Sequence, residues 1–78
     1  MARQVVVYSQ PGSLFCGKLK EFLSDQGIPY TDRDVSKDDQ ALEELSEIGY
    51  LTTPVVKIDG EIVVGFDRKR LQALLGQA

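Results

Sequence analysis

Histidine and tryptophan are absent from this 78-residue sequence, and cysteine occurs only once, as Cys16. Without histidine the chain cannot hold a Ser-His-Asp triad, an imidazole general base or a histidine metal ligand. One thiol cannot form an internal disulfide, and on its own it cannot supply the ligands of a tetrahedral zinc site. The sequence therefore predicts a fold stabilised by its core alone, with no metal, in a reducing compartment.

Basic residues are also in the minority, since nine lysines and arginines stand against twelve acids for a formal net charge of -3. This balance gives no attraction to phosphate backbones or acidic bilayers, so neither nucleic acid nor a membrane is an expected partner. Residues 1–3 precede too few apolar residues for a signal sequence or a membrane span, which predicts a cytoplasmic protein. The length and a 42% hydrophobic fraction predict a single domain over residues 1–78, expected to be a monomer.

The first half of the chain is predicted to form a strand, a helix and a second strand. Residues 5–8 are a continuous run, Val-Val-Val-Tyr, typical of a central strand covered on both faces, and Pro11-Gly12 break it. A helix follows and ends before Gly27. Its predicted inner stripe consists of Phe15, Cys16, Leu19, Phe22 and Leu23. Residues 28–35 predict a shorter strand near an edge, with Pro29 at its entrance.

The second half reads as helix, hairpin, helix. Ser36 with Asp39 three residues later resembles a capping box, and a helix with apolar positions Leu42, Leu45 and Ile48 is predicted up to Gly49. Asp59-Gly60, between two apolar runs, is a strong hairpin signal. Asp67 can cap a third helix that ends at Gly76. The predicted inner face of that helix is Leu71, Leu74 and Leu75.

This order of elements predicts an α/β fold, in which one four-stranded mixed sheet carries helices on both faces and begins with a right-handed βαβ unit. Domains of this kind place their chemistry at the carboxyl end of a central strand, where the next helix begins and offers unpaired N–H groups. In this chain the expected place is residues 12–16.

The same region carries a family resemblance. The marks are VYSQPGSLFC at 7–16, GIPY at 27–30, DV at 34–35, TP at 53–54, IDG at 58–60 and GFD at 65–67. With these the chain resembles the glutaredoxins over nearly its whole length. The resemblance implies a thioredoxin-like fold (βαβαββα) and a thiol–disulfide oxidoreductase that reduces protein or glutathione mixed disulfides.

The resemblance also assigns roles to two positions. Glutaredoxins open the first helix with a Cys-x-x-Cys pair, whose first sulfur attacks a disulfide and whose second resolves the mixed intermediate. Here the pair reads Ser13-Leu14-Phe15-Cys16. Ser13 therefore occupies the nucleophile's place and Cys16 that of the resolving thiol, so this chain is expected to be inactive or trapped. A helix N-terminus favours a thiolate, whereas a serine there is expected to cap the helix. Cys16, on the inner stripe, is expected to be shielded and a poor attacker.

Substrate-binding residues are implied in the same way. Thr53-Pro54 resembles the family's cis-proline, and Gly65, Phe66 and Asp67 resemble the region that receives glutathione, which is expected as a reductant or ligand and not as a bound cofactor. Glutaredoxins commonly carry glycine in place of Phe66. The Gly-Phe pair is closer to relatives reduced by thioredoxin reductase, so either electron donor fits.

Three functions remain open on the sequence alone. The first is a thiol–disulfide oxidoreductase disabled at Ser13. The second is a non-catalytic module that binds glutathione or an extended peptide beside Thr53-Pro54. The third is a domain in which Cys16 merely packs. The serine itself has two possible origins, a deliberate replacement of cysteine and natural divergence.

Overall fold

The computed structural model describes residues 4–49 and 53–76; residues 1–3, on which the expectation about a signal sequence depends, lie outside them. Within the described residues the elements follow the predicted order. The strands are β1 (Val5–Ser9), β2 (Thr31–Asp34), β3 (Val55–Ile58) and β4 (Glu61–Val64). The helices are α1 (Leu14–Asp25), α2 (Asp39–Ile48) and α3 (Arg68–Leu75).

The strands form one sheet in the order β2-β1-β3-β4. Strand β1 pairs in parallel with β2 and antiparallel with β3, and β3 pairs antiparallel with β4. The sheet is therefore mixed, as predicted, with β1 in its interior. Asp59 (φ 49°) and Gly60 (φ 91°) both adopt left-handed conformations, as a two-residue hairpin turn requires. Strand β2 lies at an edge, as expected, although it is shorter than the predicted strand over 28–35.

Helices cover both faces of the sheet, which confirms the layered arrangement. Helices α1 and α3 pack on one face and α2 on the other. The first cluster contains Val5, Val7, Val56, Ile58 and Val63 from the sheet with Leu19, Phe22, Leu23 and Leu71 from the helices. The second contains Tyr8, Val55, Ala41 and Leu45. Alternate residues of β1 enter alternate clusters, which explains its continuous apolar run.

Helix α1 begins after Ser13 and ends before Gly27, as predicted. Leu19, Phe22 and Leu23 are buried, but the expectation for Phe15 is wrong, because its side chain is 56% exposed. Phe15 belongs to the first turn of α1, and only four residues separate this helix from the end of β1. The apolar stripe of α1 therefore extends beyond the end of the hydrophobic core, and Phe15 lies on the part that the core does not cover.

Two expectations about α2 are also wrong. The residue that caps the helix is Asp38 and not Ser36, since an Asp38 side-chain oxygen accepts the Ala41 N–H at 3.1 Å. Asp34 accepts from the N–H and the hydroxyl of Ser36, at 2.9 and 2.6 Å, and this turn delays the helix. Leu42 is 46% exposed. The buried stripe instead runs from Ala41 through Leu45 to the partly buried Ile48.

Helix α3 follows the sequence closely. An Asp67 side-chain oxygen accepts the Arg70 N–H at 3.2 Å, and Gly76 ends the helix. Leu71 is buried, and Leu74 and Leu75 pack against the first cluster. None of the helices in the described ranges is long and apolar enough to cross a membrane.

Candidate functional site

The strand ends nearest to α1 form a continuous row across the sheet. Ser9 is paired with Asp34 of β2 at the carboxyl ends of the two parallel strands. Tyr8 is paired with Val55, so Pro54 follows on beside Ser9. The row continues to Gly65, whose N–H donates to the Pro54 carbonyl at 2.8 Å. We call this edge, Asp34-Ser9-Pro54-Gly65, the carboxyl row.

Helix α1 begins next to the carboxyl row, at Ser13. Ser13 has extended backbone angles (φ −85°, ψ 122°), and its Oγ accepts the Cys16 N–H at 3.4 Å. Its carbonyl accepts the Gly17 N–H at 3.2 Å. The first turn contains no acidic residue to neutralise the free N–H groups. Ser13 is therefore the N-cap that the sequence predicts, at the position where a thiol would meet the positive end of the helix dipole.

Cys16 lies one turn further along α1, facing inward. It is a free thiol with only 3% of its surface exposed, which confirms the predicted shielding. Ser13, in contrast, is partly exposed, and Leu14 beside it is 69% exposed. Of positions 13 and 16, only position 13 is open to a substrate in this conformation.

Thr53 and Pro54 enter the row from the other side. Their peptide bond is cis, as the resemblance implies. Pro54 is buried and Thr53 is half-buried. Because Pro54 neighbours the last residue of β1, and the α1 cap follows that strand after a short turn, the sheet brings these predicted site residues to the same edge.

Phe66 and Asp67 connect the row to α3. Phe66 is partly buried, and its ring packs edge to face on Phe22 with centroids 5.8 Å apart. The Arg68 guanidinium lies over the other ring of this pair, 5.6 Å from the Phe22 centroid. Phe66 therefore contributes to the packing between α1 and α3, at a point immediately after the carboxyl row.

A polar chain under the row was not foreseen from the sequence. Buried Ser9 donates its hydroxyl to one Asp32 oxygen at 2.6 Å, and the Lys20 ammonium donates to the other at 2.8 Å. The bond to Asp32 raises the pKa of Lys20. These residues lie on three different elements, so no spacing along the chain could have revealed them.

A second polar network lies on the opposite face of the sheet. The hydroxyl of buried Tyr8 donates to Glu44 at 2.9 Å, and Arg33 bridges Glu44 and Asp38 at 3.1 and 3.3 Å. Burial, and then the Glu44 carboxylate, raises the pKa of Tyr8. The Ala41 N–H and then Arg33 lower the pKa of Asp38. This network ties β1, β2 and α2 together behind the site.

The chemistry open to this arrangement depends on position 13. A hydroxyl at a helix N-terminus caps and binds, but it undergoes no thiol–disulfide exchange, which needs a thiolate. Among the described residues no group of three acidic or cysteine side chains is placed to hold a metal ion. The geometry thus supports a binding edge with one partly exposed hydroxyl and one thiol behind it.

Known proteins share this architecture. The glutaredoxin family model matches residues 5–63. A glutaredoxin-like 8.6 kDa protein from the rubredoxin operon of Clostridium pasteurianum is 33% identical over 72 residues, which cover 91% of this chain and 96% of that protein. The thioredoxin-like protein BC3987 superposes with a TM-score of 0.87 at 41% identity, covering 92% of this chain and all of that one. NrdH-redoxin from Escherichia coli shares the fold at 21% identity, with a TM-score of 0.84 over 91% of this chain and 93% of its own. The predicted thioredoxin-like fold is confirmed.

Proposed function

Since the chain belongs to the glutaredoxin family, we propose that its carboxyl row binds disulfide substrates for exchange at position 13, and that Ser13 prevents turnover. The observation that supports this is the place of Ser13. It caps α1 beside the carboxyl row and is partly exposed, while Cys16 is buried one turn behind it. The substrates are protein or glutathione mixed disulfides.

The exchange that a thiol at position 13 would perform has two steps. Its thiolate attacks one sulfur of the substrate disulfide, a new S–S bond forms, and the other substrate sulfur leaves as a thiolate. The Cys16 thiolate then attacks the position-13 sulfur of that mixed disulfide, which forms the internal disulfide and releases the second substrate thiolate. Two electrons pass from the protein to the substrate, and glutathione or a thioredoxin reductase returns them. Ser13 blocks the first step, so Cys16 receives no mixed disulfide to resolve.

Replacing Ser13 with cysteine tests this proposal. We expect no turnover from the parent chain or from Ser13→Ala, and measurable reduction of a glutathione mixed disulfide or of a protein disulfide by Ser13→Cys. Two coupled assays, one with glutathione and glutathione reductase and one with thioredoxin reductase, distinguish the electron donors. If Ser13→Cys folds and remains inactive with both, the proposal is wrong.

The double variant Ser13→Cys/Cys16→Ala isolates the first step. It should accumulate a mixed disulfide that mass spectrometry detects as added substrate mass, because no second thiol releases it. Cys16→Ala alone is the matched control and should gain no mass. Equal turnover by the double and single variants with a protein disulfide would remove the resolving role assigned to Cys16.

A second candidate is a binding module without catalysis. Its support is that the Pro54–Gly65 hydrogen bond and the α1 cap are formed in a chain that lacks the nucleophile. Calorimetry of the parent chain with glutathione and with extended peptides tests it. Saturable heat from either ligand, together with an inactive Ser13→Cys, would favour this function over the first.

The setting completes the proposal. A reducing compartment such as the cytoplasm suits a chain whose one cysteine is a free thiol. We expect a monomer, with a disulfide-containing protein as partner, and light scattering of the purified chain checks the first of these points.

A further inference from the structure

Three cations lie near the carboxyl row on the side of α1 and α3. They are Lys18, in the second turn of α1, and Arg68 and Lys69, in the first turn of α3. Arg68 is fixed there because its guanidinium stacks on Phe22, which contacts Phe66, the residue after Gly65. A ring pair therefore connects this cation to the row that is proposed to bind substrate.

Lys18 and Arg68 line the same open cleft. The cleft, of about 330 Å³, lies between α1 and α3, with Phe22 and Phe66 among its lining residues. Two carboxylates, Glu21 and Asp25, also line it. Both follow Lys18 along α1, so they lie further from the Ser13 end. Lys18 therefore stands at the end of the cleft nearest to the carboxyl row, and Arg68 lies over Phe22, one turn further along α1.

No ion pair within the described parts of the chain holds these cations, although Glu21 and Asp25 line the same cleft. Lys18, Arg68 and Lys69 form no ion pair there, whereas Lys20 pairs with Asp32 and Arg70 lies 4.0 Å from Glu61. Cations in the first turn of a helix oppose its dipole, so Arg68 and Lys69 stand where an isolated helix would disfavour them. The Asp67 carboxylate already caps this helix end, and an anionic group supplied from outside would relieve the opposition that remains.

The rest of the surface has the opposite sign. Seven of the twelve carboxylates fall between residues 32 and 47, and the net charge is -3. Those residues lie on β2, α2 and the turn between them. Most of the acids, including Asp34 at one end of the carboxyl row, thus lie on the β2–α2 side, and the three cations lie beside the Gly65 end of the row. A partner with acidic side chains would be attracted to the Gly65 end and repelled from the β2–α2 side.

We propose that Lys18, Arg68 and Lys69 select protein substrates whose cysteine is flanked by aspartate or glutamate. This inference rests on the proposed function, because it places the substrate along the carboxyl row. A peptide extended past Pro54 and Gly65 brings its neighbouring side chains to the mouth of the α1–α3 cleft. Charge complementarity there sets which protein docks.

Binding to the parent chain tests the selection. Fluorescent peptides of equal length carry a central S-methylthio-cysteine flanked by glutamates, glutamines or lysines, and anisotropy gives their affinities. We expect the glutamate peptide to bind about tenfold more tightly than the glutamine peptide at low salt, with the preference shrinking as salt is added. Equal affinities, or no measurable binding of any peptide, would overturn the inference.

Variants identify the cations responsible. Arg68→Gln/Lys69→Gln should abolish the preference, and Lys18→Gln should reduce it without disturbing the Phe22 stack. Lys57→Gln is the matched control, because Lys57 is an exposed cation that pairs with Val6 on β1 and lines a pocket on the opposite face beside α2. A loss of preference in Lys57→Gln equal to that in Lys18→Gln would refute the assignment.

Turnover separates this inference from the proposed function. In the Ser13→Cys background, mixed disulfides on the glutamate peptide should be reduced faster than those on the glutamine peptide. Equal rates of reduction would refute only the charge selection. A failure to reduce either peptide would refute the proposed function. The binding measurements would still show whether the cations select acidic peptides.

Discussion

The hydroxyl of Ser13 gives a stability prediction that the structure makes quantitative. Its Oγ accepts the Cys16 N–H at 3.4 Å, longer than the usual N–H···O range of about 2.7–3.2 Å. Losing an N-cap serine costs about 0.5–2 kcal/mol, and the long distance puts Ser13→Ala at the lower end, about 0.5–1 kcal/mol. In a domain of this size the melting temperature should fall by about 2–8 °C.

Ser13→Asp should shift stability in the opposite direction. The first turn of α1 has no acidic residue, so a carboxylate at the cap would interact with unopposed N–H groups and gain up to about 1 kcal/mol. Urea unfolding followed by circular dichroism measures all three proteins. Ser24→Ala, on the exposed surface of the same helix, is the control and should change stability by less than about 0.5 kcal/mol.

Two results would refute this reasoning about the cap. One is a Ser13→Ala protein as stable as the parent, which would mean that the long hydrogen bond contributes nothing. The other is a Ser13→Asp protein less stable than the parent, which would mean that the N-terminus of α1 is not the electropositive end that the argument requires.

Three further predictions concern other parts of the fold. Burial and Glu44 raise the pKa of Tyr8 above 10.0, so the contribution of Tyr8 to the free energy of unfolding should be fully present below about pH 10 and be lost as the pH rises through the higher folded pKa. Tyr8→Phe should remove this part of the alkaline decrease when the free energy of unfolding is measured against pH. An unchanged alkaline slope would contradict this. Phe15→Ala should cost less than about 1 kcal/mol in urea, and Phe22→Ala about 3–5 kcal/mol, since only the second ring is buried; similar losses would mean that Phe15 is packed after all. Gly17→Ala should stabilise the interior of α1 by about 0.5–1 kcal/mol, whereas Gly49→Ala should destabilise by about 1–2 kcal/mol because of its φ of 99°; thermal melts of the pair test this, and a shift of the same sign in both would count against it.

Local chemistry explains what the sequence predicted correctly. A two-residue turn at Asp59-Gly60, a left-handed end at Gly49 and caps at Ser13 and Asp67 each depend on residues within a few positions of one another. The continuous apolar run of β1 likewise indicated a central strand. These features determine the element order, and the element order nearly determines the sheet.

The misses arise where the outcome depends on distant elements. Periodicity placed Phe15 and Leu42 on inner stripes, but it does not say where the core that buries a stripe ends. Asp38 caps α2 in place of Ser36, because the Ser36 hydroxyl donates its hydrogen bond to Asp34. The hydrogen bonds that join Ser9, Asp32 and Lys20 depend on the register of β1 and β2 and on how α1 packs on the sheet. Sequence spacing alone predicts neither.

The candidate site was foreseen more through family likeness than through pattern. Spacing alone pointed to residues 12–16, but not to Pro54 or Gly65, which lie far away in sequence and join Ser9 only through strand pairing. The shielding of Cys16 followed from its helical phase and is confirmed. The roles of Ser13, Cys16, Thr53, Phe66 and Asp67 in substrate chemistry stay predictions.

The Asp59-Gly60 turn offers a practical handle on this molecule. Strand β3 carries the chain from Pro54 to that turn over five residues, about 17 Å of extended backbone. A dye, an affinity tag or a surface linker attached at the turn would hold the protein by its far end. The edge at Pro54 would then face away from the attachment point and remain accessible to substrates in solution.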